Sequence, residues 1–173
     1  MQSREVYLER FHNYLDRNEM QKNPHQEEGI WWCIQREMKS ESLTVGEDDT
    51  RVVKTRAGGI VADEMGLGKT ILMLGLFVSN FVRNTLIVVP LPLLNQWKKE
   101  IKRTLGHDVL VYHGSKKNSI TREKLQDAAL VLTTYGALRP SSKDSLYSVK
   151  WNRIIYDEAH HMRNSSSKKY FYG

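Results

Sequence analysis

The fold class of this chain is decided by nine residues, Ala62-Asp63-Glu64-Met65-Gly66-Leu67-Gly68-Lys69-Thr70. They follow an apolar run that predicts a strand over 59–63, and they open a helical run that predicts a helix over 69–81. A glycine-rich loop between a strand and a helix is the context in which backbone N–H groups cradle phosphates. The helix N-terminus adds positive potential at the same point, so the stretch predicts a phosphate-binding loop.

The polar positions of this loop have predicted roles. Gly66 and Gly68 let backbone N–H groups converge on phosphate oxygens. Lys69 would reach the outer phosphates, and the Thr70 hydroxyl would ligate Mg²⁺. The usual first glycine of such loops is Asp63 here, so the strict pattern fails at one position. The alternative is a glycine-rich turn with an incidental Gly-Lys-Thr, but the flanking strand and helix favour the phosphate loop.

Short apolar runs alternate with helical runs along the rest of the chain. Alternation of this kind is typical of an α/β fold, in which a mostly parallel sheet is flanked by helices. The strands are continuously apolar, as expected when both faces of a sheet are covered. The predicted strands are 59–63, 85–89, 109–112, 129–133 and 153–156, and the predicted helices are 69–81, 91–105, 119–126 and a short one from Tyr135.

A different pattern precedes residue 58. Residues 4–20 predict an amphipathic helix, and Pro24 begins a second helix with Asn23 as its N-cap. Residues 40–57 have no helical period and hold an acidic cluster, so we expect a mobile loop with Val52-Val53 as a candidate strand. The predicted domains are therefore a helical extension over 1–57 and a partial α/β lobe over 58–173.

The composition is that of a soluble globular chain. Its 173 residues are 40% hydrophobic and 27% charged, which predicts one domain with an extension and excludes a collagen-like or disordered chain. No apolar run is long enough to cross a membrane, and the single cysteine, Cys33, indicates a reducing, intracellular compartment.

Residues 1–57 carry a net charge of −2 and residues 58–173 a net charge of +8. This asymmetry suggests nucleic acid as a partner, and a plain solvated basic surface is the alternative.

A second chemical motif follows the predicted strand over 153–156. That strand ends in two carboxylates, Asp157 and Glu158. ATP hydrolysis needs one carboxylate near the metal and another group that orients or deprotonates the attacking water. Asp157 suits the first role and Glu158 the second. The structural alternative is that Asp157 caps the helix that follows.

Together, the phosphate loop and Asp157-Glu158-Ala159-His160 resemble the SWI/SNF-type helicase-like ATPases of superfamily two. Glu64, Met65 and Leu67 favour this group over the RNA helicases, whose loops usually read Thr-Gly-Ser/Ala-Gly-Lys-Thr. Four further stretches resemble the family's motifs in the family's order, and the resemblance covers about residues 20–167. These stretches are 24–30, 88–97, 112–114 and 132–135.

The resemblance implies a RecA-like P-loop lobe, the first of two, in a motor that uses ATP and Mg²⁺ to translocate along duplex DNA. It implies catalytic roles for Lys69, Asp157 and Glu158, metal ligation by Thr70 and Asp157, and coupling of nucleotide state to DNA binding by His160. The implied nucleotide contacts are Gln26, Met65, Gly66, Leu67, Gly68, Lys69 and Thr70. The implied DNA-backbone contacts are Pro90, Gln96, Lys98, His113, Thr134 and Tyr135. Its partners would be duplex DNA, bound without base reading, and a second RecA-like lobe.

Several of these residues have a structural alternative. Gln26 could complete a capping box, although the resemblance favours an adenine contact. Thr134 could cap a local turn. Trp97 belongs to an apolar helical stripe and is predicted to be a core residue. The basic residues off that stripe form either a solvated face or a phosphate-binding one: Lys98, Lys99, Lys102 and Arg103.

The sequence stops at Gly173, soon after the acidic motif. We therefore expect a lobe truncated at its C-terminus, without the family's next strand and without the second lobe that supplies arginines to the γ-phosphate. The arginine contribution is about 10³–10⁵ in rate, so we expect the isolated chain to hydrolyse ATP poorly. An RNA helicase lobe and a non-catalytic DNA- or partner-binding module are the alternatives. The resemblance points to the subgroup acting in DNA repair and transcription termination, or to its viral relatives. It implies a nuclear protein, or a cytoplasmic or virion protein if the chain is viral.

Overall fold

A computed structural model of the chain describes residues 2–39, 42–44, 52–54, 58–62, 68–138 and 145–162. Their packing divides the chain into two compact units, Met1–Phe81 and Val82–Gly173. The domain division predicted from the sequence, 1–57 and 58–173, stays a prediction. Each unit has a buried core of its own.

The first unit is built on three helices that contact one another, α1 (Arg4–Arg17), α2 (Pro24–Met38) and α3 (Lys69–Ser79). All three were predicted. Helix α1 ends earlier than predicted because Glu19 adopts a φ of +54° and the Met20 N–H donates to the Leu15 carbonyl at 2.9 Å. This reversal satisfies a carbonyl that the helix end leaves without an intrahelical partner. The core of this unit includes Phe11, Leu15, Ile30, Ile34, Leu72 and Leu74.

A close approach of α1 and α3 depends on Gly75. A Cβ atom built on Gly75 would lie 2.4 Å from Cε2 and 2.6 Å from Cδ2 of Phe11. Phe11 is fully buried, so its ring fills the space that a side chain at Gly75 would need.

Two short strands in the first unit form an antiparallel hairpin, β1 (Ser42–Thr44) and β2 (Val52–Lys54), with Ser42 opposite Lys54. The candidate strand at 52–53 is therefore confirmed, and its partner at 42–44 was missed. The rest of the predicted mobile loop lies outside the described residues.

The strand predicted over 59–63 is wrong for 59–62, where the structure has no strand, and Asp63 lies outside the described residues. Among those residues the segment has no ladder partner, and its backbone is bonded to α2 instead. The Gly58 N–H donates to the Arg36 carbonyl, and the Arg36 Nε donates to the Gly58 carbonyl, both at 3.1 Å. Ile60 is 84% exposed, so the apolar run that suggested a strand is not buried.

The second unit contains a four-stranded sheet of β3 (Thr85–Val89), β4 (Leu110–Tyr112), β5 (Leu130–Thr134) and β6 (Arg153–Tyr156). The strand order is β4-β5-β3-β6, and all three pairings are parallel. Every residue of β3 and β5 is buried, so both faces of the central strands are covered. The predicted α/β class with a parallel sheet is confirmed.

Helices α4 (Leu94–Leu105) and α5 (Arg122–Asp127) lie in the second unit, and α4 contacts β5. Helix α4 is preceded by a 3₁₀ turn at Leu91–Leu93, and its C-cap is Gly106, whose φ is +72°. Helix α5 begins later than predicted because the Thr121 hydroxyl accepts the Lys124 N–H and caps it. Further 3₁₀ turns are Ser115–Ser119, Tyr135–Leu138, Ser145–Ser148 and Ala159–Met162.

One face of this sheet packs into a core with α5. Leu86, Val88 and Val131 contribute the strand side chains, and Leu125 of α5 is fully buried against them. The side chains at the alternate positions of β3 and β5, such as Ile87, project to the opposite face, where they are buried too. None of the helices in the described ranges is both long and apolar enough to span a bilayer.

Candidate functional site

A cavity of about 330 Å³ opens in the first unit where α1, α2 and α3 come together. Gln26 of α2 is buried at its wall, and Gly68 and Ile71 face it from the start of α3. The Gln26 Nε2 lies 2.8 Å from the position that a Cβ on Gly68 would take. The rest of the lining is Leu15, Met20, Gln21, Asn23 and His25.

Gln26 and Asn23 form only part of the geometry that a capping box requires. The Gln26 N–H donates to the Asn23 carbonyl at 2.9 Å, as a first helical turn requires. The Asn23 side chain makes no cap hydrogen bond, so the N-cap half of a capping box is not formed. A buried carboxamide at the wall of a mostly apolar cavity is suited to hydrogen bonding with the edge of a planar base.

The start of α3 has the features of an anion site. Gly68 has a φ of +80°, a conformation that glycine adopts without strain, and its carbonyl accepts the Leu72 N–H at 2.9 Å. Lys69 and Thr70 are the first two residues of the helix, and its first turn holds no acidic side chain. The described part of the loop therefore fits a phosphate. Asp63–Leu67, which include the predicted contacts Met65, Gly66 and Leu67, lie outside the described residues.

The second unit brings the other predicted residues to one edge of its sheet. Because all four strands are parallel, their carboxyl ends lie at the same edge. His113 follows β4, Thr134 ends β5, Pro90 follows β3 and Asp157 follows β6. The strand order places His113 and Asp157 at opposite ends of this edge, about 14 Å apart at about 4.8 Å per strand.

Asp157 is held at three atoms. Its N–H donates to the Val88 carbonyl at 2.9 Å, and its own carbonyl accepts the Tyr135 hydroxyl at 2.7 Å. Its Oδ2 accepts the indole Nε1–H of Trp97 at 2.7 Å. Sequence reasoning missed this last contact, because Trp97 was predicted only as a core residue. Trp97 is 2% exposed, and a buried indole N–H needs a hydrogen-bond acceptor. That need was the signal from which a polar partner of Trp97 could have been predicted.

Glu158 has unusual backbone geometry. Its φ is +51°, which is uncommon for a residue other than glycine and clusters at functional sites. Its Oε2 lies 3.1 Å from Nδ1 of His160, and both side chains are more than a third exposed. The structure therefore brings together the predicted water-activating carboxylate and the predicted coupling histidine.

The predicted nucleic-acid contacts fall into two groups. His113 Nδ1 lies 3.1 Å from the Thr134 hydroxyl, so these two residues are brought together. Tyr135 is buried, and burial, followed by the charge of Asp157, holds the pKa of its phenol well above the ordinary value. Its hydroxyl points to Asp157, so any contact from this residue to nucleic acid would come from its backbone.

Helix α4 presents the second group to solvent. Gln96, Lys98 and Lys99 are exposed, and Pro90 is half-buried. Lys102 is paired with Asp108 at 2.9 Å, and Arg103 is paired with Glu100. The pairing lowers the pKa of Asp108, chiefly through the hydrogen bond from Lys102. The cationic face predicted on α4 is therefore partly neutralised at its C-terminal end.

Metal binding would depend on few protein ligands. In the described part of the chain, no three His, Cys, Asp or Glu side chains cluster in a way that could hold an ion by themselves. Mg²⁺ is commonly bound through one or two carboxylates together with substrate phosphates, so a single carboxylate such as Asp157 suits a metal that arrives with a nucleotide. The metal-binding roles of Thr70 and Asp157 stay predictions.

Comparison with known proteins supports the family resemblance. The model of the SNF2-related domain family matches residues 25–172. An uncharacterized ATP-dependent helicase of Schizosaccharomyces pombe is 31% identical over 172 residues, which cover 83% of this chain and 15% of that protein. The human DNA excision repair protein ERCC-6-like is 38% identical over 126 residues, which cover 65% of this chain and 10% of that protein.

A solved structure shares the fold. The Sulfolobus solfataricus SWI2/SNF2 ATPase core in complex with dsDNA matches with a TM-score of 0.64 and 27% sequence identity, over 84% of this chain and 28% of that one. The chain thus spans less than a third of the length of each of these three proteins. The resemblance drawn from the motifs is confirmed. By its sequence motifs, its parallel sheet and these matches, the chain belongs to the SNF2-related family of helicase-like ATPase domains.

Proposed function

We propose that this chain is the ATP-binding first lobe of a DNA-dependent ATPase that translocates along duplex DNA. The observation that carries the proposal is the start of α3, where a left-handed Gly68 leads directly into Lys69 and Thr70 beside the Gln26 cavity. Membership of the SNF2-related family supports it.

The roles of the residues follow from their chemistry. Gln26 binds the adenine edge, and the cavity walls hold the base by apolar contact. Lys69 and the N-terminus of α3 stabilise negative charge on the outer phosphates. Bound Mg²⁺-ATP supplies the phosphoryl group and the metal charge for hydrolysis.

The two carboxylates have different tasks. Asp157, whose carboxylate is oriented by Trp97, would hold the metal, and Thr70 is the other predicted metal ligand. Glu158 orients the attacking water and accepts its proton at a carboxylate oxygen. His160, 3.1 Å from that carboxylate, holds it in place.

Duplex DNA is the proposed partner at the other end of the sheet edge. The end near β4 and β5 is polar and basic, with His113 and Thr134 joined there and Lys116 exposed nearby. Such groups position phosphates without reading base sequence. The S. solfataricus ATPase core was solved in complex with dsDNA, which supports duplex DNA over RNA. Tighter binding of single-stranded RNA than of duplex DNA would contradict this choice.

Productive hydrolysis is proposed to need a second lobe. In related phosphoryl-transfer systems an added arginine contributes about 10³–10⁵ in rate. The isolated chain is therefore expected to bind Mg²⁺-ATP but to hydrolyse it slowly. A nuclear location also stays a proposal, supported by the human relative named as a DNA excision repair protein.

The test is calorimetric titration of the chain with Mg²⁺-ATP, beside Lys69→Ala and a control, Lys39→Ala. Lys39 is an exposed lysine of the same unit at the end of α2. We expect Lys69→Ala to lose at least about tenfold in affinity, since it removes a charged contact worth about 1.5–3 kcal/mol, while Lys39→Ala binds like the wild type. Equal affinities for the wild type and Lys69→Ala would overturn the proposal.

A further inference from the structure

Two segments in which the sequence predicts DNA contacts, α4 and the end of β5, each donate a side-chain hydrogen bond to Asp157. On α4, Gln96 and Lys98 are exposed, and Trp97 between them turns inward and donates to the Asp157 carboxylate. At the end of β5, Thr134 is joined to His113, and the next residue, Tyr135, donates to the Asp157 carbonyl. One metal-binding residue is therefore tied to both segments.

The contact from Trp97 controls the orientation of the carboxylate. An indole N–H is a donor only, so at 2.7 Å it fixes Oδ2 and limits rotation of the carboxylate. Trp97 has little freedom itself, because it is 2% exposed and shares the buried face of α4 with Leu94 and Ile101. A displacement of α4 would move the N–H and with it the oxygen that it holds.

The contact from Tyr135 acts on the backbone instead. Its hydroxyl fixes the Asp157 carbonyl, which belongs to the peptide group that joins Asp157 to Glu158. That peptide leads into the left-handed conformation of Glu158, where φ is +51°. Tyr135 therefore restrains the point at which the chain turns from β6 to the proposed water-activating carboxylate.

We propose that Trp97 and Tyr135 are positioning residues through which DNA bound at α4 and at the end of β5 sets the geometry of the Asp157 metal site. The inference rests on the proposed function, which has DNA at the end of β5 and a metal at Asp157, and on the DNA contacts that the sequence predicts on α4. Loss of a group that orients a metal ligand typically lowers metal affinity or activity by about 10–100-fold.

The first test is made on the wild-type chain alone. The ¹H–¹⁵N signal of the Trp97 indole is assigned in the wild-type chain through its connection to the backbone signals of the same residue, and a short DNA duplex is added without nucleotide. We expect this signal to shift with DNA. The control is the Trp151 indole, which donates to the Leu146 carbonyl at 3.0 Å in the same unit. We expect its signal not to shift with DNA.

The second test measures the affinity for Mg²⁺-ATP with and without the duplex. In the wild type we expect the duplex to change this affinity, and in Trp97→Phe and Tyr135→Phe we expect the change to disappear. Tyr135→Phe keeps the ring and removes only the hydroxyl donor, whereas Trp97→Phe removes the N–H donor together with the five-membered ring that carries it. Trp151→Phe and Tyr147→Phe are matched controls that should keep the change, because they lose donors to the carbonyls of Leu146 and Leu138 instead.

The outcomes separate this inference from the proposed function. If the duplex binds and the Trp97 signal does not move, the inference is wrong and the proposed function stands. If the duplex binds neither the wild type nor the variants, both are wrong. If either phenylalanine variant fails to fold, the signal of the wild-type chain still decides the question.

Discussion

Gly75 carries a steric requirement that can be tested against a second helical glycine. In Gly75→Ala the new Cβ would meet Phe11 at 2.4 Å, so we expect a loss of about 1–3 kcal/mol in the free energy of unfolding. In Gly29→Ala, in α2, the nearest atoms are those of Leu72 at 3.4 Å. That variant should be neutral or gain up to about 1 kcal/mol from helix propensity. Urea unfolding of both variants is the measurement, and equal effects would contradict the packing argument.

Gly68 combines a backbone requirement with a site requirement. Its φ is +80°, and a Cβ there would lie 2.8 Å from the Gln26 Nε2 at the cavity wall. We expect Gly68→Ala to lower both stability and affinity for Mg²⁺-ATP. Gly106→Ala is the control, because Gly106 has a similar φ of +72° and no atom within 4 Å of its Cβ position.

Both alanines should cost about 1–2 kcal/mol of left-handed strain. Calorimetry with Mg²⁺-ATP should then show a weakened affinity for Gly68→Ala alone. A Gly68→Ala chain that binds Mg²⁺-ATP as tightly as Gly106→Ala would exclude Gln26 and Gly68 from the nucleotide site.

At the scale of elements, one side chain joins the end of α5 to the beginning of β3. The Asn84 Nδ2 lies 3.2, 2.6 and 3.1 Å from the carbonyls of Leu125, Gln126 and Ala128. Its φ of +59° is one that asparagine and aspartate tolerate. Asn84→Asp keeps this shape but turns the donor into a charged acceptor facing three carbonyls.

We therefore expect Asn84→Asp to lower the free energy of unfolding by about 1–3 kcal/mol. Asn84→Gly removes the same donor without adding charge and relieves the backbone, so its loss should be smaller. Thermal unfolding of the two variants gives the order. The argument fails if Asn84→Asp is as stable as Asn84→Gly.

The elements also show which parts of the fold local sequence can predict. Strands β3 and β6 have the predicted bounds because each is a mainly apolar run that is followed directly by a proline or by polar turn residues. The helix ends were less accurate, since they depend on single caps such as Thr121 and on the left-handed Glu19. The segment 59–62 was predicted wrongly because an apolar run becomes a strand only beside a partner strand. Whether such a strand lies next to it depends on residues far away in the sequence.

The candidate site follows the same division. Residues adjacent in sequence, such as Gly68, Lys69 and Thr70, can be predicted as a group from spacing alone. The contact between Trp97 and Asp157 joins residues 60 positions apart. It depends on the order β5-β3-β6 and on the packing of α4, neither of which local periodicity fixes.

For the molecule as a whole, the two separate cores predict that the units lose structure separately. Trp31 and Trp32 report on the first unit, and Trp97 and Trp151 report on the second. We expect the native indole N–H signals of the two pairs to disappear at different urea concentrations. Gly75→Ala should lower the midpoint of the first pair more than that of the second. Loss of all four signals in a single transition would show instead that the chain unfolds as one cooperative unit.

The position of β3 in the sheet has a consequence for the order of events during synthesis. Thr85 is paired on one side with Leu130 and on the other with Arg153, so the central strand leaves the ribosome well before either neighbour. Until then, Thr85-Leu86-Ile87-Val88-Val89 is an uncharged, β-prone run with unmet backbone groups, the kind of segment that associates between chains. Nascent chains whose emerged part ends before residue 130 should therefore depend on chaperones, and those from which residue 156 has also emerged should depend on them less.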